Sequence, residues 1–222
     1  MSINSLSSRI ASYMAKELNY DRRREAQLVY GMELLFTTVL KVSCIMVLAN
    51  FLGTFRETLL ILVVSGSLRV VSGGEHCSAF HRCLIGGATV FLLISYFAKL
   101  ISPVISYQEL VIISVTSIGF IISILLKYAP GDTANKPITE EEEKRRYRKL
   151  SLMVASVYLL AVFFLLFLRV FLDVAFLIII GLLWQCFMIT PFGYRFIRSV
   201  DSLLMFVPKG GRGHGTEDSD RR

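Results

Sequence analysis

The sequence predicts an all-α integral membrane protein, and three properties of its apolar residues indicate this. Hydrophobic residues make up 54% of the 222 positions, and the mean hydropathy is +0.60. These residues are gathered into long runs, and a run of about 20 is enough for a helix to cross roughly 30 Å of hydrocarbon. The runs lack the strict alternation that a transmembrane barrel needs, and only helices and closed barrels satisfy their backbone polar groups in lipid.

Six apolar stretches predict about six transmembrane helices. They cover residues 30–53, 57–71, 84–103, 109–127, 151–171 and 173–191. The second stretch is short and ends in Ser65, Gly66 and Ser67, so it is either a short span or a re-entrant segment. A re-entrant second stretch would reduce the prediction to four spans without changing which loops share a side of the membrane.

The first 29 residues are predicted to contain an amphipathic helix. One helical face carries Leu6, Ile10, Tyr13, Met14 and Leu18, and the basic residues lie elsewhere. Such a helix lies at a membrane surface or packs on a partner. We therefore divide the chain into an N-terminal cytoplasmic segment at 1–29, a transmembrane domain at 30–191 and a cytoplasmic tail at 192–222. The end of the tail is rich in glycine and charge and is predicted to be disordered.

The distribution of basic residues predicts the orientation. Five Lys and Arg precede residue 30, seven lie in the 127–149 segment, six follow residue 191 and two lie in the region 69–83. By the positive-inside rule, both termini, the loop 127–150 and the loop 69–83 are cytoplasmic. The net charge of +7 is thus explained by topology in a multi-pass protein of the cell membrane, and no nucleic-acid partner is expected.

The segment 69–83, with the sequence RVVSGGEHCSAFHRC, concentrates reactive side chains. It holds two of the three histidines and two of the four cysteines. Ionisable groups next to a bilayer are costly to keep there, so this cluster is the candidate functional site.

Four interpretations of the cluster are open. Cys83 could be a nucleophile activated by His76, because an imidazole can take the proton of a thiol. Cys77 and His81 could form the pair instead, since residues four apart are neighbours on a helix. The histidines and cysteines could bind zinc, although their spacing matches no standard zinc pattern, so neither a metal nor another cofactor is expected. All four could also be structural.

The first interpretation needs a bent backbone. Seven residues of continuous helix return to the same face but rise about 10.5 Å, which is too far for His76 and Cys83 to hydrogen-bond directly. Gly73 and Gly74 supply conformational freedom just before His76. A loop that leads into a helix would let the two side chains meet, but these physical arguments do not choose between the two Cys–His pairs.

The combined spacing Arg69-x3-Gly73-Gly74-x-His76-x6-Cys83 resembles the AgrB (accessory gene regulator B) family, and the resemblance covers nearly the whole chain. It implies a membrane cysteine endopeptidase of a Gram-positive bacterium that processes the quorum-sensing propeptide AgrD. It also implies that His76 is the catalytic base and Cys83 the nucleophile, and that the protein forms a homodimer. Arg69 and Gly74 match motif positions needed for the site, whereas Cys77 departs from the family pattern.

In that family, the nucleophile forms an acyl-thioester with the propeptide, and a side chain of the peptide then closes a thiolactone or lactone ring. Beside the two catalytic residues, we expect Arg69, Gly73, Gly74 and Glu75 to support the site. Glu75 either orients His76 or is a solvated surface carboxylate.

A second basic cluster follows the acidic residues 140–143. It consists of Lys144, Arg145, Arg146, Arg148 and Lys149. This pattern is typical of a solvated, self-paired helix that also anchors the topology. The alternative is a basic platform for an acidic propeptide tail or for anionic lipid headgroups. Two other function classes stay open, a small peptide transporter and a metal-dependent membrane enzyme.

Overall fold

The computed structural model of the chain describes residues 3–18, 20–75, 80–131 and 141–206. Within these ranges it contains eight α-helices, a short 3₁₀ helix and no strand. The helices are α1 (Ile3–Glu17), α2 (Arg22–Phe51), α3 (Phe55–Ser72), α4 (Phe80–Ile101), α5 (Tyr107–Tyr128), α6 (Glu141–Leu168), α7 (Leu172–Met188) and α8 (Pro191–Leu203), followed by the 3₁₀ helix Leu204–Phe206. The predicted all-α class is confirmed.

Helices form at all six predicted apolar stretches, but they are not equally suited to crossing a membrane. In the described part of the chain, α2, α4, α5 and α6 are long and apolar enough, by length and composition. α7 and α8 add a fifth candidate if they are counted as one span broken by a bend of 82°. This count is lower than the predicted six, because α7 has only 17 residues and α3 carries Arg56, Glu57 and Arg69 within its 18 residues.

The N-terminal amphipathic helix is present as α1, and it packs on α2. Its buried face consists of small residues, Ser7, Ala11 and Ala15, which allow a close approach to α2. The Ser12 hydroxyl donates a hydrogen bond to Glu25 Oε1 at 2.7 Å. The predicted apolar face is left exposed at Tyr13, Met14 and Leu18, so it is available to a membrane surface.

The core of the bundle lies where α7 packs against α3. Ile61 and Leu68 of α3 and Ile179 and Leu182 of α7 are completely buried. Gly181 permits this approach, because a Cβ there would lie 2.9 Å from the Cβ of Val64. α5 and α6 pack against the other sides of α7, so α7 is the central helix of the molecule.

Side-chain contacts distinguish the two ends of the bundle. At one end, Lys99 Nζ lies 2.5 Å from the carbonyl oxygen of Gly53, and Arg56 pairs with Asp173 at 2.8 Å. The opposite end brings together the C-termini of α3, α5 and α7, the N-termini of α4 and α6, and α8. Residues 69–75, the first turn of α4 and the basic start of α6 therefore lie at the same end of the bundle.

Candidate active site

The motif begins with a turn that only glycine can make. α3 ends at Ser72, and the next two residues have positive φ angles, 72° at Gly73 and 131° at Gly74. A Cβ at Gly73 would lie 2.5 Å from the carbonyl oxygen of Gly131, well inside van der Waals contact. Both the backbone conformation and the lack of space explain why the motif has glycine at this position.

Arg69 crosses this turn and stabilises it. Its Nη2 atom donates to the carbonyl oxygen of Glu75 at 2.6 Å. The guanidinium also passes close to Gly74, where a Cβ would lie 3.2 Å from Nη1. The charged hydrogen bond closes the segment 69–75 into a compact unit, and the supporting role of Arg69 in catalysis stays a prediction.

A polar residue that sequence reasoning missed holds the same turn from α7. Gln185 is 1% exposed, and its Nε2 donates to Ser72 Oγ and to the carbonyl oxygen of Gly73, both at 2.9 Å. A buried amide without hydrogen bonds is unfavourable, so a glutamine within the apolar run of residues 173–191 was itself a signal of a specific partner.

The loop after α5 forms the other side of the turn. The Gly131 amide donates to the Ser72 carbonyl oxygen at 2.7 Å, and Gly73 and Gly131 form an isolated parallel bridge. Arg148 of α6 donates from Nε to the carbonyl oxygen of Ala129 at 2.9 Å. The basic segment of α6 is thus connected to the motif through this loop.

The five basic residues predicted to bind a substrate tail differ in their surroundings. Lys144 pairs with Glu141 at 3.2 Å, within the helix, and Arg148 contacts Ala129 as described above. Arg145, Arg146 and Lys149 are exposed. The cluster therefore consists of two groups. Lys144 and Arg148 make contacts within the protein, whereas the other three side chains are exposed.

Cys83 lies in the first turn of α4 and is partly exposed. His76 and Cys77 are outside the described residues, so neither of the two predicted Cys–His pairs has a defined distance. His81 lies on the same turn of α4, and its buried Nε2 has no hydrogen-bond partner in the part of the chain that the structure describes. No group of three or more His, Cys, Asp or Glu suited to a metal occurs within the described ranges, which leave out residues 76–79.

Two ion pairs connect the motif to α8, a helix that lies within the predicted cytoplasmic tail. Arg198 Nε lies 3.3 Å from Glu75 Oε1, and Arg82 Nη1 lies 3.4 Å from Asp201 Oδ1. The Glu75 carboxylate is therefore paired at one oxygen and is not a freely solvated group. Its other oxygen, Oε2, is buried without a partner among the described residues.

The chain is similar to known proteins over most of its length. The family model described as Accessory gene regulator B matches residues 7–189. An AgrB-like protein of Clostridium perfringens strain 13 is 31% identical over 216 residues, which is 90% of this chain and 97% of the relative. The accessory gene regulator protein B of Staphylococcus aureus strain RF122 is 27% identical over 151 residues, 68% of this chain and 78% of that protein.

No solved structure matches the chain. The family match nevertheless covers most of the sequence, from α1 to the end of α7, and includes the whole motif. The chain belongs to the AgrB (accessory gene regulator B) family, whose members act in agr quorum sensing.

Proposed function

We propose that this protein is a membrane cysteine endopeptidase that removes the C-terminal tail of an AgrD-type propeptide. The observation that carries the proposal is the construction of the motif. The turn 69–75 is held by Arg69, Gln185 and the Gly131 amide, and Cys83 follows at the start of α4. A fixed turn, followed within eight residues by a partly exposed thiol, supports an assignment to nucleophilic catalysis.

In the proposed reaction, the Cys83 thiolate adds to the carbonyl carbon of the scissile peptide bond, after His76 has taken the thiol proton. The C–N bond then breaks, His76 returns the proton to the leaving amine, and the cleaved tail departs. The remaining peptide is bound to Cys83 as a thioester.

A thiol or hydroxyl side chain of the bound peptide next attacks this thioester. His76 accepts its proton, the new thiolactone or lactone bond forms, and Cys83 leaves as a thiolate. Arg69 and backbone amides near Cys83 are the donors proposed to stabilise the negative oxygen of each tetrahedral intermediate. Exchange of one thioester for another is nearly neutral in energy. Departure of the cleaved tail therefore helps to drive the two reaction steps forward.

We place the site at the cytoplasmic face. The supporting observation is that the basic start of α6 and the motif lie at one end of the bundle, which the positive-inside rule assigns to the cytoplasm. There, the exposed Arg145, Arg146 and Lys149 would attract an acidic propeptide tail or anionic lipid headgroups. A homodimer is part of this proposal, as expected from the family resemblance.

The test is co-expression of the full chain with an AgrD-type propeptide, followed by mass spectrometry of the peptide. Cys83→Ser and His76→Ala should abolish both cleavage and a peptide adduct on the protein. Cys44→Ser is the matched control, since Cys44 is also a partly exposed cysteine but lies in α2, and it should cleave normally.

Cleavage at the normal rate by Cys83→Ser would refute the assignment of the nucleophile. If Cys77→Ser and His81→Ala were inactive instead, the other Cys–His pair would be the catalytic one. Inhibition by a chelator but not by an irreversible thiol reagent would indicate a metal-dependent enzyme.

A further inference from the structure

We propose that α8 fixes the position of the catalytic motif through contacts with the first turn of α4. In this proposal Arg82 and Asp201 are positioning residues for Cys83. This inference rests on the proposed function, because it concerns the same thiol. It assigns a role to a helix that lies within the predicted cytoplasmic tail and that follows the region matched by the family model.

The first contact is an ion pair next to the nucleophile that is largely shielded from solvent. Arg82 directly precedes Cys83, and its Nη1 lies 3.4 Å from Asp201 Oδ1. The side chains are 12% and 14% exposed, in contrast to the other three ion pairs found among the described residues, in which at least one partner is well exposed. An ion pair that is largely shielded from solvent is costly to disturb, so this contact constrains the first turn of α4.

Close packing reinforces the ion pair one turn further along α4. Gly86 lies three residues after Cys83 and so on the same side of the helix. A Cβ at Gly86 would lie 2.7 Å from Val200 Cγ1. Because Val200 is the neighbour of Asp201, the same part of α8 contacts α4 through both charge and shape.

A second ion pair joins α8 to the other part of the motif. Arg198 lies three residues before Asp201, on the same side of α8, and pairs with Glu75 at 3.3 Å. Glu75 and Arg82 are the residues on either side of the segment that contains His76. α8 therefore contacts both flanks of that segment, at Arg82 through the shielded pair and at Glu75 through a more exposed one.

The position of α8 is itself fixed by α7. Thr190 caps α8, since its Oγ1 accepts from the Gly193 amide at 3.2 Å. Phe196 of α8 packs against Trp184 and Phe187 of α7, with ring centroids 6.1 Å and 5.9 Å apart. α7 also carries Gln185, so one central helix positions the turn directly and Cys83 through α8.

The test compares variants of the full chain in native membranes. Asp201→Asn and Arg82→Gln should lower kcat for propeptide cleavage by about 10- to 100-fold, because a shift of about 1 Å at a catalytic group has effects of this size. KM should change little. The rate at which iodoacetamide alkylates Cys83, measured by peptide mass spectrometry, should change together with kcat. The control is Asp173→Asn, which removes the ion pair with Arg56 at the opposite end of the bundle and should leave both quantities unchanged.

Conservative variants keep the test decisive if Asp201→Asn fails to fold. Asp201→Glu and Arg82→Lys retain the charges but change their reach, and they should give folded protein with an intermediate kcat and altered alkylation of Cys83. Wild-type cleavage and wild-type alkylation in these folded variants would overturn the inference, as would an equal loss in Asp173→Asn. If Cys83→Ser still cleaved while Asp201→Asn altered alkylation of Cys83, the proposed function would fail but the positioning role of α8 would stand.

Discussion

The side-chain nitrogen of Gln185 lies 2.9 Å from the carbonyl oxygen of Gly73, and the two residues are 112 positions apart in the chain. This hydrogen bond joins the central helix α7 to the glycine turn of the motif. The same nitrogen also reaches Ser72 Oγ at 2.9 Å, so a single buried amide holds both the last residue of α3 and the turn after it. The motif is therefore built on the core of the bundle.

Replacement of Gln185 by leucine should weaken both the fold and the activity. The Gly73 carbonyl and the Ser72 hydroxyl would lose a buried donor, and an unsatisfied buried polar group costs about 1–3 kcal/mol. We expect a lower melting temperature of the detergent-solubilised protein and a propeptide cleavage rate reduced by about 10-fold or more through displacement of the turn. Thermal unfolding and a cleavage assay on the same preparation measure the two effects.

Thr58→Val is the control for this variant. Thr58 is also completely buried, and its hydroxyl bonds Thr54 Oγ1 at 3.3 Å, but it lies at the other end of α3. It should lower stability without a specific loss of cleavage. Cleavage that fell in proportion to stability in both variants would show that Gln185 acts only through the fold.

Gly73→Ala should be inactive. At φ 72° an alanine is strained, and its Cβ would meet the Gly131 carbonyl oxygen at 2.5 Å, so the bridge between the two segments must open. Gly66→Ala in α3 is the matched control, because a Cβ there meets nothing within 4 Å, and alanine in a helix is more stable than glycine by about 0.5–1 kcal/mol. An active Gly73→Ala protein would show that this turn is not needed for catalysis.

The two groups within the basic segment of α6 should respond differently to mutation. Joint replacement of the exposed Arg145, Arg146 and Lys149 by glutamine should raise KM for a propeptide with an acidic tail and leave kcat nearly unchanged. Arg148→Gln should instead lower kcat and stability, because Arg148 holds the Ala129 carbonyl beside the motif. In the wild type, KM should rise with ionic strength, since exposed charges are screened by salt. If KM did not depend on salt in the wild type, and the triple variant had the same KM, these three residues would have only a role in membrane topology.

The orientation can be measured with single introduced cysteines. Val104, 78% exposed between α4 and α5, lies at the end of the bundle opposite the motif, whereas Ser199 is exposed on α8. A membrane-impermeant maleimide should label Val104→Cys in intact cells and should label Ser199→Cys only after the cells are opened. The reverse pattern would place the motif outside the cell.

The sequence predicted the membrane class and the position of every long helix well, because these depend on local composition. Leu, Ile, Val and Phe in runs of about 20 residues identify a span without any knowledge of its neighbours. The boundaries were less certain. α2 begins eight residues before its apolar run, because Asp21 accepts a hydrogen bond from the Arg24 amide and starts the helix within the basic cluster.

The sequence did not distinguish α8 from the predicted tail at 192–222, because the role of this helix depends on long-range contacts. In the structure Thr190 caps α8 and Pro191 begins it, but in the sequence Arg198 and Asp201 look like ordinary surface charges. Their partners, Glu75 and Arg82, lie more than 100 residues away. The two ion pairs form only because the bend after α7 brings α8 against the motif, and the sequence alone does not show this bend.

The motif in a polar break between apolar helices was thus determined by the sequence alone, since residue types and their spacing at positions 69–83 define it. What only the tertiary structure decided is how that motif is held. The Gly73 turn is fixed by Gln185, by Gly131 and by Arg69, and the start of α4 is fixed by Asp201. The physical reason is that burial changes what a polar group requires: a glutamine or an ion pair within the bundle needs a partner of defined geometry, and the packing of distant helices supplies it.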